Sequence, residues 1–357
     1  MAIFKKNTRI GVIKKEVAGT EGTVPSPAFV AADYDVRMRE LELSSLTVEM
    51  DDEASKFATG DHTMDEAIPG IKKAEISFKI KMAPGELDTT VTANSKLAYQ
   101  KVFETAGLIG SYAGDLVTPG VYSFVPGMAA DTTTATVAIV DIESGVSPKG
   151  IEYKIAGAMS TLEIGCEGTG KPFTATLKYQ GKVESVEQLE TVPVYSDVDG
   201  MQTLGDKFLG TDIRITPVNV NTGLPEGTPI DFCSNSFTAD SGISLASIEC
   251  QKDASGIQSE TVTARNPSVK INPRLLKIAA WDFWSELNDV TLYQVEVLGT
   301  NVQYTAFRCQ LMSTTIGDDN GFFRNELVFR PLRNIGDGNK EETYRIDIAD
   351  VDITPAP

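Results

Sequence analysis

Alternation of apolar and polar residues is the commonest pattern along the chain, and it predicts β-strands. Within residues 75–82 every second residue is apolar, and the residues between them are Glu, Ser or Lys. A strand with this pattern buries one face and leaves the other in water. In residues 41–50 the alternation slips by one position at Ser44-Ser45, which predicts a β-bulge in a long strand.

Further strands are predicted in both halves of the chain. In the first half they cover residues 136–142, 151–164 and 173–183. In the second half they cover residues 236–248, 261–271 and 292–298. The first 35 residues show little periodicity, so we expect an extended or irregular arm there and regular structure only after it.

Two segments have the spacing of a helix. Residues 94–108 begin with a capping residue and carry apolar side chains on one face. The second helix is predicted to open at Asn272-Pro273, a cap followed by proline, and to continue to Leu287. We expect Phe283 and Trp284 of this helix to pack in the core.

The second half repeats the order of the first: strands, one helix, a strand and a closing hairpin. Tyr153 precedes Leu177 by 24 residues, and Tyr304 precedes Leu327 by 23. The turn at residues 167–170 corresponds to a turn at 318–321. An internal repeat of this kind predicts a duplicated β domain.

A looser stretch with Pro and Gly, residues 191–206, marks the boundary between the copies. The predicted organisation is an N-terminal arm (residues 1–35), a first β domain (36–195), a linker (196–229) and a second β domain with a C-terminal extension (230–357).

Composition and charge exclude several classes of protein. The 357 residues contain 32 Lys+Arg and 50 Asp+Glu, a net charge of −18, which argues against a protein that grips nucleic acid through its phosphates. It does not argue against one that DNA slides past. No secretion signal and no apolar run long enough for a membrane span are present. Reduced thiols are expected for the four widely spaced cysteines, Cys166, Cys233, Cys250 and Cys309.

No motif predicts catalysis, and no catalytic, cofactor-binding or metal-ligating residue is assigned. Residues 165–172 fit GxxxxGK, but Pro172 replaces the Ser or Thr that would hold magnesium, and a strand follows where a helix is required. A hairpin turn is therefore expected there. Asp-rich turns at 197–200 and 318–321 resemble fragments of calcium loops but lack the closing Glu, so ordinary turns are expected.

Two strings resemble a known family: residues 71–80 (IKKAEISFKI) and residues 151–181 (IEYKIAGAMSTLEIGCEGTGKPFTATLKYQG). They look like segments of the tail tube proteins of long-tailed bacteriophages, which share their basic fold with the type VI secretion tube. The likeness covers residues 16–190, and residues 230–350 look like a second, more diverged copy. The resemblance implies a mainly β protein of two tandem tail-tube-like β-sandwich or barrel domains, each with one flanking α-helix.

The function implied by the resemblance is structural. Proteins of this family form stacked homo-oligomeric rings around a channel through which DNA leaves the capsid. The implied partners are the chain itself and other phage tail proteins, with transient passage of DNA, no cofactor and no membrane. The implied location is the virion, after assembly in the host bacterial cytoplasm. Two copies per chain imply either a trimeric, pseudo-hexameric ring or a hexamer with the second copy outside the wall. Acidic residues in the channel would keep DNA from sticking.

By the same resemblance, the long polar connection at residues 51–70 is the candidate contact between successive rings, and compact domains rarely keep such loops without a use. The residues assigned to this contact are Asp51, Asp52, Phe57, Asp61, His62, Met64 and Ile68. The N-terminal arm as far as Asp33 and the C-terminal residues 334–357 are further candidates for it.

Two other classes of function are open. A tandem β-sandwich binding module, such as a receptor- or carbohydrate-binding tail protein, predicts an exposed aromatic platform and a discrete oligomer. A hydrolase with a carboxylate pair is the third candidate. The absence of a nucleophile elbow and of a histidine cluster counts against it.

Overall fold

The computed structural model describes most of the chain. The described residues are 9–26, 29–51, 68–82, 100–113, 121–127, 133–142, 149–166, 168, 171–194, 213–232, 234–250, 257–273, 281–287, 291–299, 302–319, 322–334 and 342–349. They are almost entirely β, with two short helices and one 3-10 turn at Ala31–Asp33. The prediction of a mainly β protein is confirmed.

The first half contains eight described strands and one helix. The strands are β1 (Arg9–Lys15), β2 (Arg39–Asp51), β3 (Ile68–Lys81), β4 (Leu108–Ala113), β5 (Val121–Pro126), β6 (Ala135–Ile142), β7 (Gly150–Cys166) and β8 (Thr174–Leu189). The helix is α1 (Gln100–Glu104).

The second half contains ten described strands and one helix. The strands are β9 (Ile213–Val218), β10 (Ile230–Phe232), β11 (Ser234–Asp240), β12 (Ile243–Glu249), β13 (Ile257–Arg265), β14 (Ser268–Pro273), β15 (Leu292–Leu298), β16 (Val302–Asp319), β17 (Phe322–Pro331) and β18 (Tyr344–Ala349). The helix is α2 (Phe283–Glu286).

Sixteen strands form one sheet, the main sheet, and β12 and β13 form a separate two-stranded ribbon. Two runs of neighbouring strands can be followed in the main sheet. The first run is β1-β6-β7-β8-β3-β2, and the second run is β9-β15-β16-β17-β14-β11. The last strand of the second run, β11, pairs antiparallel with β7 of the first. The strands of both halves therefore form one hydrogen-bonded sheet.

The core lies against one face of this sheet. In β3, Ile76 and Phe78 are at most 1% exposed, whereas the polar residues between them are partly exposed, as the alternation predicts. The ring of Phe78 stacks on that of Tyr179 in β8, with centroids 5.6 Å apart. Large apolar side chains from both halves belong to the same core cluster.

Two local predictions are confirmed. The register of β2 against β3 shifts between Leu43 and Ser45, where the slip in alternation predicts a bulge. The GxxxxGK segment connects β7 to β8, which are antiparallel partners with Gly165 opposite Thr174. It is a hairpin connection, and no helix follows it as a phosphate loop would need.

The expectation that regular structure begins after residue 35 is wrong. Strand β1 pairs with β6 along its whole length. Its central residues Val12 and Ile13 are consecutive, yet both are at most 1% exposed. A strand that is buried on both faces has no alternation, so the pattern did not reveal it.

Strands also occur in the predicted linker and in the C-terminal extension. Strand β9 lies within residues 196–229 and pairs with both β10 and β15. Strand β18 lies between β16 and β5, and its Ile346 is fully buried. Part of the predicted linker and part of the C-terminal extension therefore belong to the main sheet. The hairpin of β4 and β5 was not predicted either.

The helix boundaries differ from the prediction. Leu108 begins β4 instead of ending the first helix, and Gly107 at φ 74° ends the turn before it. Residues 94–99 lie outside the described part. Asn272 and Pro273 continue β14 and do not open a helix, because Pro273 is paired with Ser234 of β11.

The short helix α2 begins after Asp282, whose carboxylate accepts a hydrogen bond from Ser285 N. Phe283 is buried as expected, but Trp284 is 45% exposed. The core position is filled instead by Trp281, whose indole N–H donates to the hydroxyl of Tyr293. The prediction that Trp284 packs in the core is therefore wrong.

Each of the strands predicted at 236–248 and 261–271 is divided in two. The division lies at Ser241-Gly242 in one and at Asn266-Pro267 in the other. Gly242 has φ 58°, and a Cβ there would lie 2.0 Å from Asn266 O. Only glycine fits this close approach. The outer parts of both strands leave the main sheet here and form the ribbon β12–β13.

Candidate functional site

The residues predicted for the ring contact are placed only in part. Asp51 ends β2 and Ile68 begins β3, and the two are cross-strand partners. The predicted boundaries of the loop are thus corrected, because Asp51 and residues 68–70 belong to strands. The other assigned residues lie outside the described part: Asp52, Phe57, Asp61, His62 and Met64.

The described residues contain no arrangement typical of a metal site: no group of three or more His, Cys, Asp or Glu is placed to hold an ion there. Within the same residues, no helix has the length and apolar character needed to cross a membrane. Cys166, Cys250 and Cys309 carry free thiols, and Cys233 is outside the described part. Burial raises the pKa of the Cys309 thiol.

The most extended feature shared by the two halves is the face of the main sheet opposite the core, which we call the polar face. Cross-strand partners lie on the same side of a sheet, so rows of partners can be followed across it. One row crosses from β3 to β14 through Lys79, Thr176, Glu163, Asp240 and Ser268. A second crosses from β3 to β17 through Lys81, Thr174, Gly165, Thr238, Lys270 and Val328.

These rows show that the polar face continues without a break from one half to the other. Small polar residues and charges of both signs occur along these rows, and Lys270 Nζ lies 3.8 Å from Glu326 Oε1. The described part of this face is not predominantly acidic, in contrast to the acidic channel that the resemblance implies.

The junction between the halves is a regular strand pairing. In β11, Phe237 lies opposite Cys166 and Asp240 opposite Glu163. Just beyond the strand, Ser241 N donates to Leu162 O at 2.9 Å, and Leu162 N donates to Ser241 Oγ at 3.2 Å. The backbone groups on this edge of β7 are therefore paired by the second half.

The core also passes through this junction. The ring of Phe237 lies 6.0 Å from that of Phe173 in the first half and 5.5 Å from that of Tyr304 in the second. All three residues are at most 2% exposed. The junction thus joins two cores as well as two strands.

The ribbon β12–β13 makes a second set of contacts between the halves. Its Arg265 guanidinium donates to Gly107 O at 2.8 Å and also to Gly127 O, both in the first half. Its Glu260 pairs with Lys73 of β3. The ribbon therefore lies over the first half and extends the contact beyond the sheet edge.

A basic group borders the outer strand β2. The members of this basic group are Arg39, Lys79, Lys81 and Lys171. Together with Glu40 they line an open depression of about 280 Å³. Glu40 lies 2.9 Å from Lys79 Nζ, so it neutralises one of the four cations. The depression is at the end of the main sheet, next to its unpaired edge.

An aromatic platform is the feature that a binding module predicts. Among the aromatic side chains whose burial is described, Trp284 alone is exposed. One indole ring, already packed beside Phe283 with centroids 5.4 Å apart, does not make a platform.

Comparison with known proteins gives no assignment. No protein-family model matches the chain, and no curated protein matches it. The features that carry functional information are therefore the polar face, the junction and the free edges of the main sheet.

Proposed function

We propose that the chain is a structural virion protein of a phage tail tube, which assembles into stacked homo-oligomeric rings around a channel for DNA. One observation carries this proposal: strand β11 of the second half extends the sheet of the first half at β7. A chain whose two halves join edge to edge has the type of contact from which a ring of such units can be built. Its partners in this proposal are further copies and other tail proteins.

The proposal includes a duplicated tube domain. The two runs have the same strand order, and β1 occupies in the first the place that β9 occupies in the second. Leu177 and Leu327, matched by sequence, occupy matching places: Leu177 lies opposite Phe78 of β3, and Leu327 opposite Ile271 of β14. The shared strand order and this agreement in register support the duplication that the sequence pattern suggests.

The polar face is our candidate for the channel wall. It spans both halves and presents small polar residues with charges of both signs, so DNA would find neither an apolar patch nor a continuous basic stripe. The net charge of −18 adds a general repulsion between the assembly and DNA. Assembly in the host cytoplasm and location in the phage tail complete the proposal.

Negative-stain electron microscopy combined with mass photometry tests this function. We expect rings or hollow tubes, with a smallest closed species near three chains for a pseudo-hexameric ring. Six chains per ring would instead place the second copy outside the wall. Particles that remain monomeric or dimeric at every concentration would reject the tube and favour the binding module.

A further inference from the structure

The two strands that pair at the junction, β11 and β7, each have a counterpart in the other half. Neither counterpart is paired in the same way. Strand β11 closes the second run by pairing with β7, but its counterpart β2 pairs only with β3 among the described strands. Strand β16 is the counterpart of β7. Beyond Gln310, its described partner is β17 alone, so its other edge is unpaired there. Within the described residues, the chain therefore presents one free edge of each kind.

The register identifies equivalent residues in β7 and β16. Leu162 of β7 lies opposite Leu177, and Thr314 of β16 lies opposite Leu327. Each is followed two positions later by an isoleucine on the same side of its strand. These equivalent isoleucines are Ile164 and Ile316.

The two isoleucines differ sharply in burial. Ile164 is 2% exposed, and Ala239 of β11 lies opposite it. Ile316 is 47% exposed, and no described strand lies on that edge of β16. Strand β11 covers Ile164, whereas no described strand covers its equivalent, Ile316. Unpaired edges with exposed apolar residues favour pairing with another chain.

Strand β2, the equivalent of β11, has the edge that would pair with β16 of another copy. Ala239 lies opposite Val269 of β14, and Leu43 of β2 lies opposite Ile76 of β3. Val269 lies opposite Phe329, and Ile76 lies opposite its equivalent, Tyr179. Val269 and Ile76 are therefore equivalent, and their partners Ala239 and Leu43 are equivalent too.

We propose that β2 of one chain pairs antiparallel with the outer end of β16 in a second copy, with Leu43 opposite Ile316 and Glu42 opposite Gly317. This inference rests on the proposed ring assembly and names the contact that builds it. It reproduces between chains the pairing that joins the two halves within one chain. The two edges are different surfaces, so the contact is head-to-tail, the type that closes into rings.

Cysteine cross-linking tests the register directly. The variant L43C/I316C is prepared with Cys233→Ser and Cys250→Ser, and is oxidised under conditions in which rings form. Directly opposed residues bring their Cβ atoms close enough for a disulfide. We expect a ladder of covalent multimers on a non-reducing gel, which disappears on reduction.

Matched variants control this experiment. A239C/I164C carries the equivalent pair within one chain, so it is expected to form an intramolecular disulfide whether or not rings form. L46C/I316C moves the first cysteine three residues along β2, and we expect little cross-linking from it. Equal cross-linking by this pair and by L43C/I316C would overturn the register.

A charge on the edge tests the contact without cysteines. Ile316→Lys is expected to reduce ring and tube particles at least tenfold, because it places an unpaired charge in a strand interface. Val220→Lys, at a residue with similar 50% exposure on a distant turn, is expected to assemble normally. Rings that form with Ile316→Lys, or without the specific ladder, would reject this contact while leaving the tube function standing. The absence of rings from the unmodified chain would reject both.

Discussion

Lys73 and Glu260 join the two halves of the molecule through an ion pair, with Nζ 3.2 Å from Oε1. The Glu260 side chain is fully buried, whereas that of Lys73 is 26% exposed. Ser247 of the ribbon completes the arrangement, since its hydroxyl lies 2.8 Å from both Lys73 Nζ and Glu260 Oε1. This buried carboxylate and its cation therefore help to hold the ribbon over the first half, together with the hydrogen bonds of Arg265.

Lys73→Ala is expected to destabilise the protein by about 2 kcal/mol, because it leaves the Glu260 carboxylate buried without its cation. Urea denaturation measures the change. The control Lys270→Ala removes one member of an exposed pair, and we expect a loss below about 1 kcal/mol. The double variant K73M/E260Q is expected to recover more than half of the loss. No recovery would contradict the proposed cause.

Glu16→Gln is expected to destabilise the protein by about 3 kcal/mol through lost charge-assisted hydrogen bonds. The Glu16 carboxylate is buried and accepts four of them, from Gly22 N, Thr134 Oγ1, Thr136 Oγ1 and Gly157 N. An amide cannot accept at its nitrogen, so two donors lose their partner.

The exposed Glu187→Gln serves as its control and is expected to change stability by less than about 0.5 kcal/mol. Thermal unfolding of both variants compares them. Equal melting temperatures would show that the four hydrogen bonds contribute little.

Gly157→Ala is expected to loosen the packing of the ribbon on β7. Gly157 has φ 60°, and a Cβ there would lie 2.7 Å from Gln258 O and 2.8 Å from Ser259 Cα. Backbone strain and the clash together are expected to destabilise the protein by at least about 3 kcal/mol.

Gly19→Ala separates the two effects, because Gly19 has φ 85° but open space around its Cβ position. This variant is expected to lose only about 1 kcal/mol, from strain alone. Hydrogen exchange in β12 and β13 should accelerate in Gly157→Ala and stay unchanged in Gly19→Ala. Faster exchange in neither variant would contradict the packing.

Stability is expected to fall between pH 10 and pH 12. Burial, together with nearby carboxylates, raises the pKa of Tyr34 and that of Tyr122 to about 12. An unfolded tyrosine loses its proton near pH 10, so in this window the unfolded state binds fewer protons and is favoured as pH rises. Tyr122→Phe should make the pH dependence of the unfolding free energy shallower by up to one proton. Identical slopes would rule out this contribution.

Strands with one wet face could be predicted from the sequence. Every second residue of β3 from Ala74 to Ile80 is buried, and the same holds for β8 around Leu177 and Tyr179. The bulge at Ser44-Ser45 left its mark on the same alternation. In these elements the alternation of apolar and polar residues follows from the strand backbone, which points successive side chains to opposite faces.

Other elements left no such pattern. Strand β1 is buried on both faces, and the short strands β9 and β18 owe their place to partners far away in the sequence. At Asn272-Pro273 a local signal for a helix start was overruled by pairing with β11. Trp284 is exposed against our expectation, because the described helix α2 covers only Phe283–Glu286 and Trp281, just before it, fills the core position.

Some features of the candidate site could likewise be predicted from the sequence, and others could not. The sequence by itself determined the strands with one wet face, the closing hairpins and the correspondence of Leu177 with Leu327, because alternation and turn chemistry are encoded in neighbouring residues. Only the tertiary structure decided that β11 joins β7, and that Ile316 lies on an edge left open. Edge pairing is made by backbone groups that every residue carries, so the order of side chains does not reveal which edges meet.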